Sequence, residues 1–359
     1  MTRNTKNVPY YILGAGAFAR LGDFIDERRH GGGAALFCVD HYFQDKEALR
    51  DLPAKDGDIV VFVDTSKEPA VEYVDALSDG VKARLQGRPP CCVVGMGGGA
   101  TLDVAKAVAN LLSNPGKAEE YQGWELVKNP APYKIGVPTL SGTGAECSRT
   151  CVLTNEKRKL KLGMNSDYTV YDQLVLDPSL TVSVPRDQFF FTGMDTYMHC
   201  FESLRGAYRN VIVDRLSLCA MDMCRDIFLG QEDMMSEANR ENMMVASYLG
   251  GMAAGNTGLV HPLSAGLSIV LHLPHGRANC YALSVLGDFY PEEHAAFTQM
   301  LAKNRISLPK GICANLSEEQ YDALHQGTIV HEKPLSNALG PDFKNILGKE
   351  RLTSMFKAM

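Results

Sequence analysis

The sequence has no surplus of positive charge: 36 Lys and Arg against 42 Asp and Glu leave a formal net charge of −6 and a pI near 5.9. Proteins that grip a phosphate backbone do so with clustered cations that release counterions, so nucleic acid is not an expected partner. Long apolar runs are missing too. The N-terminal stretch MTRNTKNVPYYILGAGAF is apolar over too few residues to span a bilayer and is followed by no secretory cleavage pattern; neither membrane association nor secretion is expected. Cysteine is scarce for the length, ten in 359 residues. The cysteines lie mostly within apolar runs such as Cys91-Cys92-Val93-Val94, the placement of reduced core thiols rather than of a disulfide framework, and a cytoplasmic location is the expectation. Internal repeats, low-complexity tracts and long charge runs are also absent from the sequence.

What remains is an ordinary globular composition, 45% hydrophobic and 22% charged with 33 glycines. The chain exceeds the roughly 250–300 residues at which a single core stops growing, so two domains are expected. Between Tyr10 and Val63 the apolar runs YYIL, AALFCVD and IVVFVD alternate with the helical stretch AFARLGDFIDERR, which is the rhythm of βαβ units. That rhythm continues through a helix near 69–86, the buried run CCVVG at 91–95, a helix over about 100–112 and the strand IGVP at 135–138. Within 151–177, TVYDQLVLD predicts one further strand, and VPRDQ at 184–188 closes the region. Residues 1–185 therefore read as an α/β dinucleotide-binding domain, a parallel sheet flanked by helices. Residues 186–359 read as an all-helical domain, from the periodicity of 187–205, 211–229 and 238–254. Glycine and proline at 250–276 predict loops bending around a site.

Two glycine signals compete for a nucleotide. In the first, Gly14-Ala15-Gly16-Ala17-Phe18-Ala19 follows a predicted strand, and Asp40 ends the next one. That is the dinucleotide fingerprint spacing, with a plain strand-to-helix turn as the equal alternative. A carboxylate such as Asp40 at a strand end suits both ribose hydroxyls of NAD and repels the extra phosphate of NADP. In the second, GMGGGATLDVAK at 95–106 leads from a buried strand straight into a helix, where bare amides form a pocket for a pyrophosphate. PTLSGTGAECS at 138–148 adds the hydroxyls of Thr139, Ser141 and Thr143.

In GMDTYMHCFES, Asp195 and His199 stand four residues apart on a predicted helix, so both leave one face and can chelate one ion. A surface aspartate beside a core histidine is the competing reading. His261 and His275, each next to a proline or glycine in the loop-rich stretch, shift the balance toward a metal. One carboxylate and three imidazoles suit one divalent Fe(II) or Zn(II) ion and leave room for substrate. His272 is a further catalytic candidate, as pocket wall or as a donor behind the ligands.

Taken together these motifs resemble the iron-containing, or group III, metal-dependent alcohol dehydrogenase family, from about Tyr10 to the C-terminus. The likeness lies in GGGATLDVAK at 97–106, with Ala100 for the usual serine, and in PTLSGTGAE, with Ala145 for serine. It continues in LDPSL at 176–180, in Gly193-x-Asp195-xxx-His199, and in His261 followed fourteen residues later by the His275 of PHG. The resemblance implies the dehydroquinate synthase-like architecture, NAD as cofactor and metal binding by Asp195, His199, His261 and His275. It further implies cofactor contacts at Gly97, Gly98, Gly99, Asp103, Asp40, Thr139, Leu140, Ser141, Thr143, Lys161 and Leu180. A second histidine common in the family, four residues after the first loop ligand, is here Ala265, which removes the expected proton-handling group. The implied reaction oxidises a primary hydroxyl of a small alcohol or sugar acid to the aldehyde. The terminal hydroxyl of 3-deoxy-manno-octulosonate is the expected substrate and a homodimer the expected assembly. Two rivals are a lyase of the dehydroquinate-synthase kind, which steady NADH accumulation would exclude, and a metal- or nucleotide-binding regulatory protein without turnover.

Overall fold

Six apolar runs build one parallel sheet, with β1 (Tyr10–Leu13), β2 (Ala35–Asp40), β3 (Ile59–Val63), β4 (Cys92–Gly97), β6 (Lys134–Pro138) and β9 (Gln173–Leu176) in the order β1-β9-β6-β4-β2-β3. The computed structural model describes residues 6–29 and 32–359. Side chains alternate across a strand, and here the alternation feeds two cores. Leu36, Cys38 and Val93 meet Val104 and Val108 of α3 (Gly99–Ser113) and Val74 of α2 (Val71–Leu85) on one face. Phe37, Val39, Val94 and Met96 meet Leu21 and Ile25 of α1 (Leu21–Asp26) on the other. Burial on both faces explains why β2 and β4 read as unbroken apolar runs rather than as alternating ones.

A second, three-stranded sheet joins β5 (Gly123–Trp124), β7 (Thr150–Asn155) and β8 (Leu160–Asn165), with β7 and β8 antiparallel from Thr150↔Asn165 to Asn155↔Leu160. The sequence predicted one strand in 151–177, and β7 and β8 escaped it. Each buries only part of a six-residue run in which Thr, Lys, Gly or Asn interrupts the apolar residues, so neither holds more than three apolar residues in a row.

The remaining elements are helices: α4 (Arg186–Arg205), α5 (Val211–Leu229), α6 (Glu237–Gly251), α7 (Val260–Leu271), α8 (His275–Ser284) and α9 (Pro291–Asn304). They are followed by α10 (Glu318–Ile329), α11 (Glu332–Leu339), α12 (Phe343–Ile346) and α13 (Lys349–Lys357). The central one, α4, is buried at every position from Phe189 to Ser203, as befits a helix with neighbours on all sides. Phe190, Met194, Phe201, Met243, Leu263 and Leu283 share its core.

Residues 250–276 are not the loop that their glycines and prolines suggested, because α7 occupies 260–271. Pro262 is its third residue, where the missing N–H has no intrahelical acceptor to lose. His261 and His275 consequently sit on the first turns of α7 and α8.

The chain separates into two compact units, Met1–Leu140 with Ala145–Ser183, and Val184–Met359 with Ser141–Gly144. The main division thus falls just before Pro185, and four residues of the expected nucleotide loop go with the helices. Inside the helical unit, Gly142 and Gly144 donate their N–H groups to Ser247 Oγ at 2.8 and 3.3 Å. Gly142 has φ +140°, and a Cβ there would lie 1.9 Å from the Thr192 carbonyl oxygen. All ten cysteines are free thiols, and only Cys91 and Cys219 are not buried. Among the described residues, no helix is long and apolar enough to cross a membrane.

Candidate metal centre and nucleotide corner

Asp195 and His199 lie one turn apart on α4, with His199 Nε2 3.5 Å from Asp195 Oδ1. From α7, His261 brings Nε2 to 3.1 Å of the same oxygen. From the start of α8, His275 brings Nε2 to 3.5 Å of Asp195 Oδ2. The His199 and His261 rings stack at 4.5 Å with 12° between planes, and the His275 ring stands 5.6 Å from that of His261. The structure therefore gathers three of the expected ligands, all imidazoles, around the fourth, the Asp195 carboxylate. Ligand atoms of Asp195, His199 and His261 lie within 4.8 Å of one another, the spacing of groups that can share one ion.

Burial makes this arrangement costly without a cation. Asp195 is wholly inaccessible, yet its Oδ2 accepts no hydrogen bond, and neither does the buried Nδ1 of His199 have a partner. Burial pushes the Asp195 carboxyl up, but His199, His275 and His261 together draw it well below the usual carboxylate range. Desolvation takes His199 down to about 3 despite Asp195, so its ring is neutral near pH 7 and offers a lone pair. His261 is also desolvated, but Glu202 and Asp195 raise it to about 9. One imidazolium thus answers two carboxylates, and a divalent cation competes with that proton. One oxygen and three nitrogens of this kind fit Fe(II) or Zn(II). The His275 side chain is 30% exposed, against 6% for His199 and none for Asp195, which marks the solvent side of the cluster.

Two further residues touch the quartet and were not singled out from the sequence. Asn279 on α8 donates from Nδ2 to Asp195 Oδ1 at 2.7 Å and lies 3.3 Å from His275 Nε2. Glu202, one further turn along α4, takes His261 Nδ1 at 2.5 Å. Both obey helical spacing: Glu202 continues the face of Asp195 and His199, and Asn279 follows His275 by four. Extending each ligand pair by a turn would have found them.

His272 does not join this group. It is the C-cap of α7, exposed and left-handed at φ 54°, a conformation that histidine tolerates better than most residues. Ala265 is buried on α7 and brings no titratable group.

In the sheet unit, Asp40 closes β2 and its carboxylate accepts from Thr101 Oγ1 and Thr65 Oγ1, at 3.0 and 3.1 Å. Gly97, at the end of β4, abuts it: a Cβ there would fall 2.6 Å from Thr101 Cβ and 2.9 Å from Asp40 Cβ. The Gly98 cap of α3 supplies no side chain, and the first turn carries no acid, so the amides of Gly99 and its successors keep their affinity for an anion. Thr139 N donates to Gly97 O at 3.0 Å, and Leu140 packs 3.4 Å from the position of a Gly98 Cβ. Asp40, Gly97, Gly98, Gly99, Thr139 and Leu140 therefore share one corner at the carboxyl ends of the strands, where open α/β sheets bind ligands.

The fingerprint reading of Gly14–Gly16 is overturned. In such a fingerprint β1 pairs with β2, whereas here β1 pairs with β9 at the sheet edge and β2 lies between β4 and β3. Gly14 and Gly16 are needed for their positive φ, 142° and 83°, in a turn.

The other expected contacts have structural partners of their own, and Asp103 and Lys161 lie close enough to interact electrostatically. Asp103 accepts from Val152 N at 2.9 Å and lies 3.2 Å from the buried Lys106 Nζ, a link from α3 to β7. Lys161 on β8 pairs with Glu68 at 3.0 Å. Leu180 packs against the sheet core, and Ser141 and Thr143 belong to the helical unit.

Comparison with known proteins points to one family. Residues 9–178 match the model of the iron-containing alcohol dehydrogenase family, and residues 189–326 match its C-terminal model. The chain is 35% identical over 248 residues to a sulfoacetaldehyde reductase of Bilophila wadsworthia, a match covering 67% of this chain but only 63% of that protein's length. It is 29% identical to alcohol dehydrogenase 4 of Saccharomyces cerevisiae over 88% of this chain and 82% of the yeast protein. Among solved structures, a 1,3-propanediol oxidoreductase superimposes with TM-score 0.83 at 22% identity, covering 99% of both chains. A sulfoacetaldehyde reductase from Bifidobacterium kashiwanohense in complex with NAD+ gives 0.79 at 24% identity, over 99% of this chain and 98% of that one. At such identities the superpositions speak for the fold, and the two family models speak for descent. Matched in both halves, this chain belongs to the iron-containing alcohol dehydrogenase family.

Proposed function

We propose that the chain is an NAD-dependent, divalent-metal-dependent oxidoreductase that interconverts a small primary alcohol and its aldehyde. The observation that carries this reading is the fully buried Asp195 carboxylate with three imidazole nitrogens converging on it within 3.5 Å. When bound at their sites, a divalent ion supplies Lewis acidity toward an alcohol or carbonyl oxygen and NAD supplies the hydride acceptor. Asp195 contributes the charge that retains the ion, and neutral His199 contributes a lone pair. Asn279 holds Asp195 in place. Asp40 would take the ribose hydroxyls, and the amides after Gly98 the pyrophosphate.

The name of the relative 35% identical to this chain, sulfoacetaldehyde reductase, supports a short-chain alcohol or aldehyde carrying a second polar group. The terminal hydroxyl of 3-deoxy-manno-octulosonate, oxidised before amination in lipopolysaccharide biosynthesis, is the sugar-acid member of the same panel and rests on motif resemblance alone. A cytoplasmic homodimer completes the proposal, the ten free thiols supporting the compartment. The test is protein reconstituted with Fe(II) or Zn(II) and assayed for NADH against short alcohols, diols, glycerol, hydroxyacids and eight-carbon sugar acids, with sulfoacetaldehyde assayed in the reducing direction. Metal-dependent turnover is expected. Turnover of short substrates alone would sink the octulosonate reading, and metal content and turnover unchanged in Asp195→Ala would sink the site.

A further inference from the structure

Glu202 is buried to 1% exposure on the central helix α4. Among the described residues no lysine or arginine pairs with it. Its two oxygens are spent on α7 alone: Oε1 accepts from Val260 N at 2.6 Å, and Oε2 meets His261 Nδ1 at 2.5 Å. A carboxylate this deep is expensive even with the His261 ring as its charged partner, so its placement calls for a reason beyond helix capping, which a neutral side chain performs as well.

The reason lies in the other face of the same ring. With Nδ1 taken up by Glu202, His261 has only Nε2 to turn toward Asp195, at 3.1 Å. A carboxylate can only accept, so the nitrogen facing Glu202 keeps its proton, and Nε2 is the one left to exchange a proton for an ion. His199 differs, because its Nδ1 is buried without a hydrogen-bond partner. Its ring instead lies flat against that of His261, 4.5 Å away. The Glu202-held ring is therefore the reference surface for both.

We infer that Glu202 is a positioning residue for metal binding: its carboxylate fixes the tautomer and direction of His261 and, through Val260, the start of the helix that bears it. This rests on the reading of Asp195, His199, His261 and His275 as a divalent-metal site. It assigns Glu202 no contact with metal or substrate. In Glu202→Gln the amide oxygen can still accept from Val260, while the amide nitrogen, a donor, faces His261 Nδ1. That reverses the tautomer and puts a proton on the nitrogen meant for the ion.

The experiment measures Zn2+ and Co2+ affinity of the metal-free full chain by competition with a chromophoric chelator, and records the visible spectrum of the Co2+ form. Glu202→Gln is expected to weaken binding 10- to 100-fold and alter the Co2+ spectrum, while metal-free melting stays near wild type. Glu202→Asp, which keeps the charge, should recover part of the loss. In a His261→Ala background, Glu202→Gln should have no further effect on affinity, because the partner through which it acts is gone. Unchanged affinity in Glu202→Gln, or an equal loss in the His261→Ala background, overturns the inference and leaves a structural cap. If Glu202→Gln does not fold, Glu202→Asp decides: affinity equal to wild type with a fall in melting temperature alone also overturns it. Failure of the parent reading looks different, since wild type and Asp195→Ala would then bind metal equally poorly, and the inference would fall with it.

Discussion

Thr196 Oγ1 donates a 2.6 Å hydrogen bond to the carbonyl of Gly142. The residue beside Asp195, the proposed metal ligand, thus grips the Gly142–Gly144 turn, so that proposed ligand and a segment of the expected nucleotide loop hang on consecutive positions of one buried helix.

Thr196→Val keeps the shape and removes the donor, leaving the Gly142 carbonyl without that bond in a buried place. Denaturant unfolding should show a loss of about 1–3 kcal/mol. Gly142→Ala should be worse, about 3 kcal/mol or more, because its Cβ would collide with main chain that has no flexible side chain to yield; equal stabilities for the two variants would refute this ordering.

Metal removal should lower the melting temperature. A ligand that binds only the folded chain stabilises it by about 2.7 kcal/mol at a hundred times its Kd. Melting curves in chelator and in excess Zn2+ should therefore separate for wild type and coincide for Asp195→Ala.

Acid should weaken the sheet unit through Asp58. Burial pushes this carboxyl up, but the Arg29 guanidinium and the Lys55 and Ala35 amides more than offset it and hold it below its ordinary value. A depressed folded pKa contributes stability that is fully present above the unfolded value of about 3.9 and is lost as pH falls through the folded one. Urea midpoints of wild type and Asp58→Asn should differ at pH 7 and converge below about pH 4. A constant gap across that range would assign the effect to packing.

Cofactor choice should turn on Asp40. Asp40→Asn keeps the shape and one acceptor oxygen, enough for Thr101 or Thr65, but removes the charge that opposes a 2′-phosphate. The ratio of kcat/KM for NADP to that for NAD should rise about tenfold or more, roughly 1.4 kcal/mol, and an unchanged ratio would take Asp40 out of the cofactor site.

Much of this was legible from the chain because the responsible physics is local. Doubly buried strands announce themselves as CCVVG-like runs, and Asp195 with His199 needs only helical spacing. The partners contributed by distant elements were harder to see. Glu202 meets His261 across 59 residues, and no local pattern records such a pairing. The order of the sheet is equally non-local, and so the Gly14–Gly16 turn with Asp40 imitated a fingerprint that pairing later dissolved. Residues 250–276 mislead for another reason: their glycines and prolines look like helix breakers, although Pro262 sits where a helix tolerates it.

Because Ser141–Gly144 travel with the helices, the helical unit is discontinuous in the chain. No single cut excises it whole. A fragment beginning at Val184 would leave behind the turn that Thr196 holds, and a gene fusion exchanging the two halves near Pro185 would import a foreign version of it. Recombination within this family should therefore succeed more often when the crossover carries residues 141–144 along with their helical hosts.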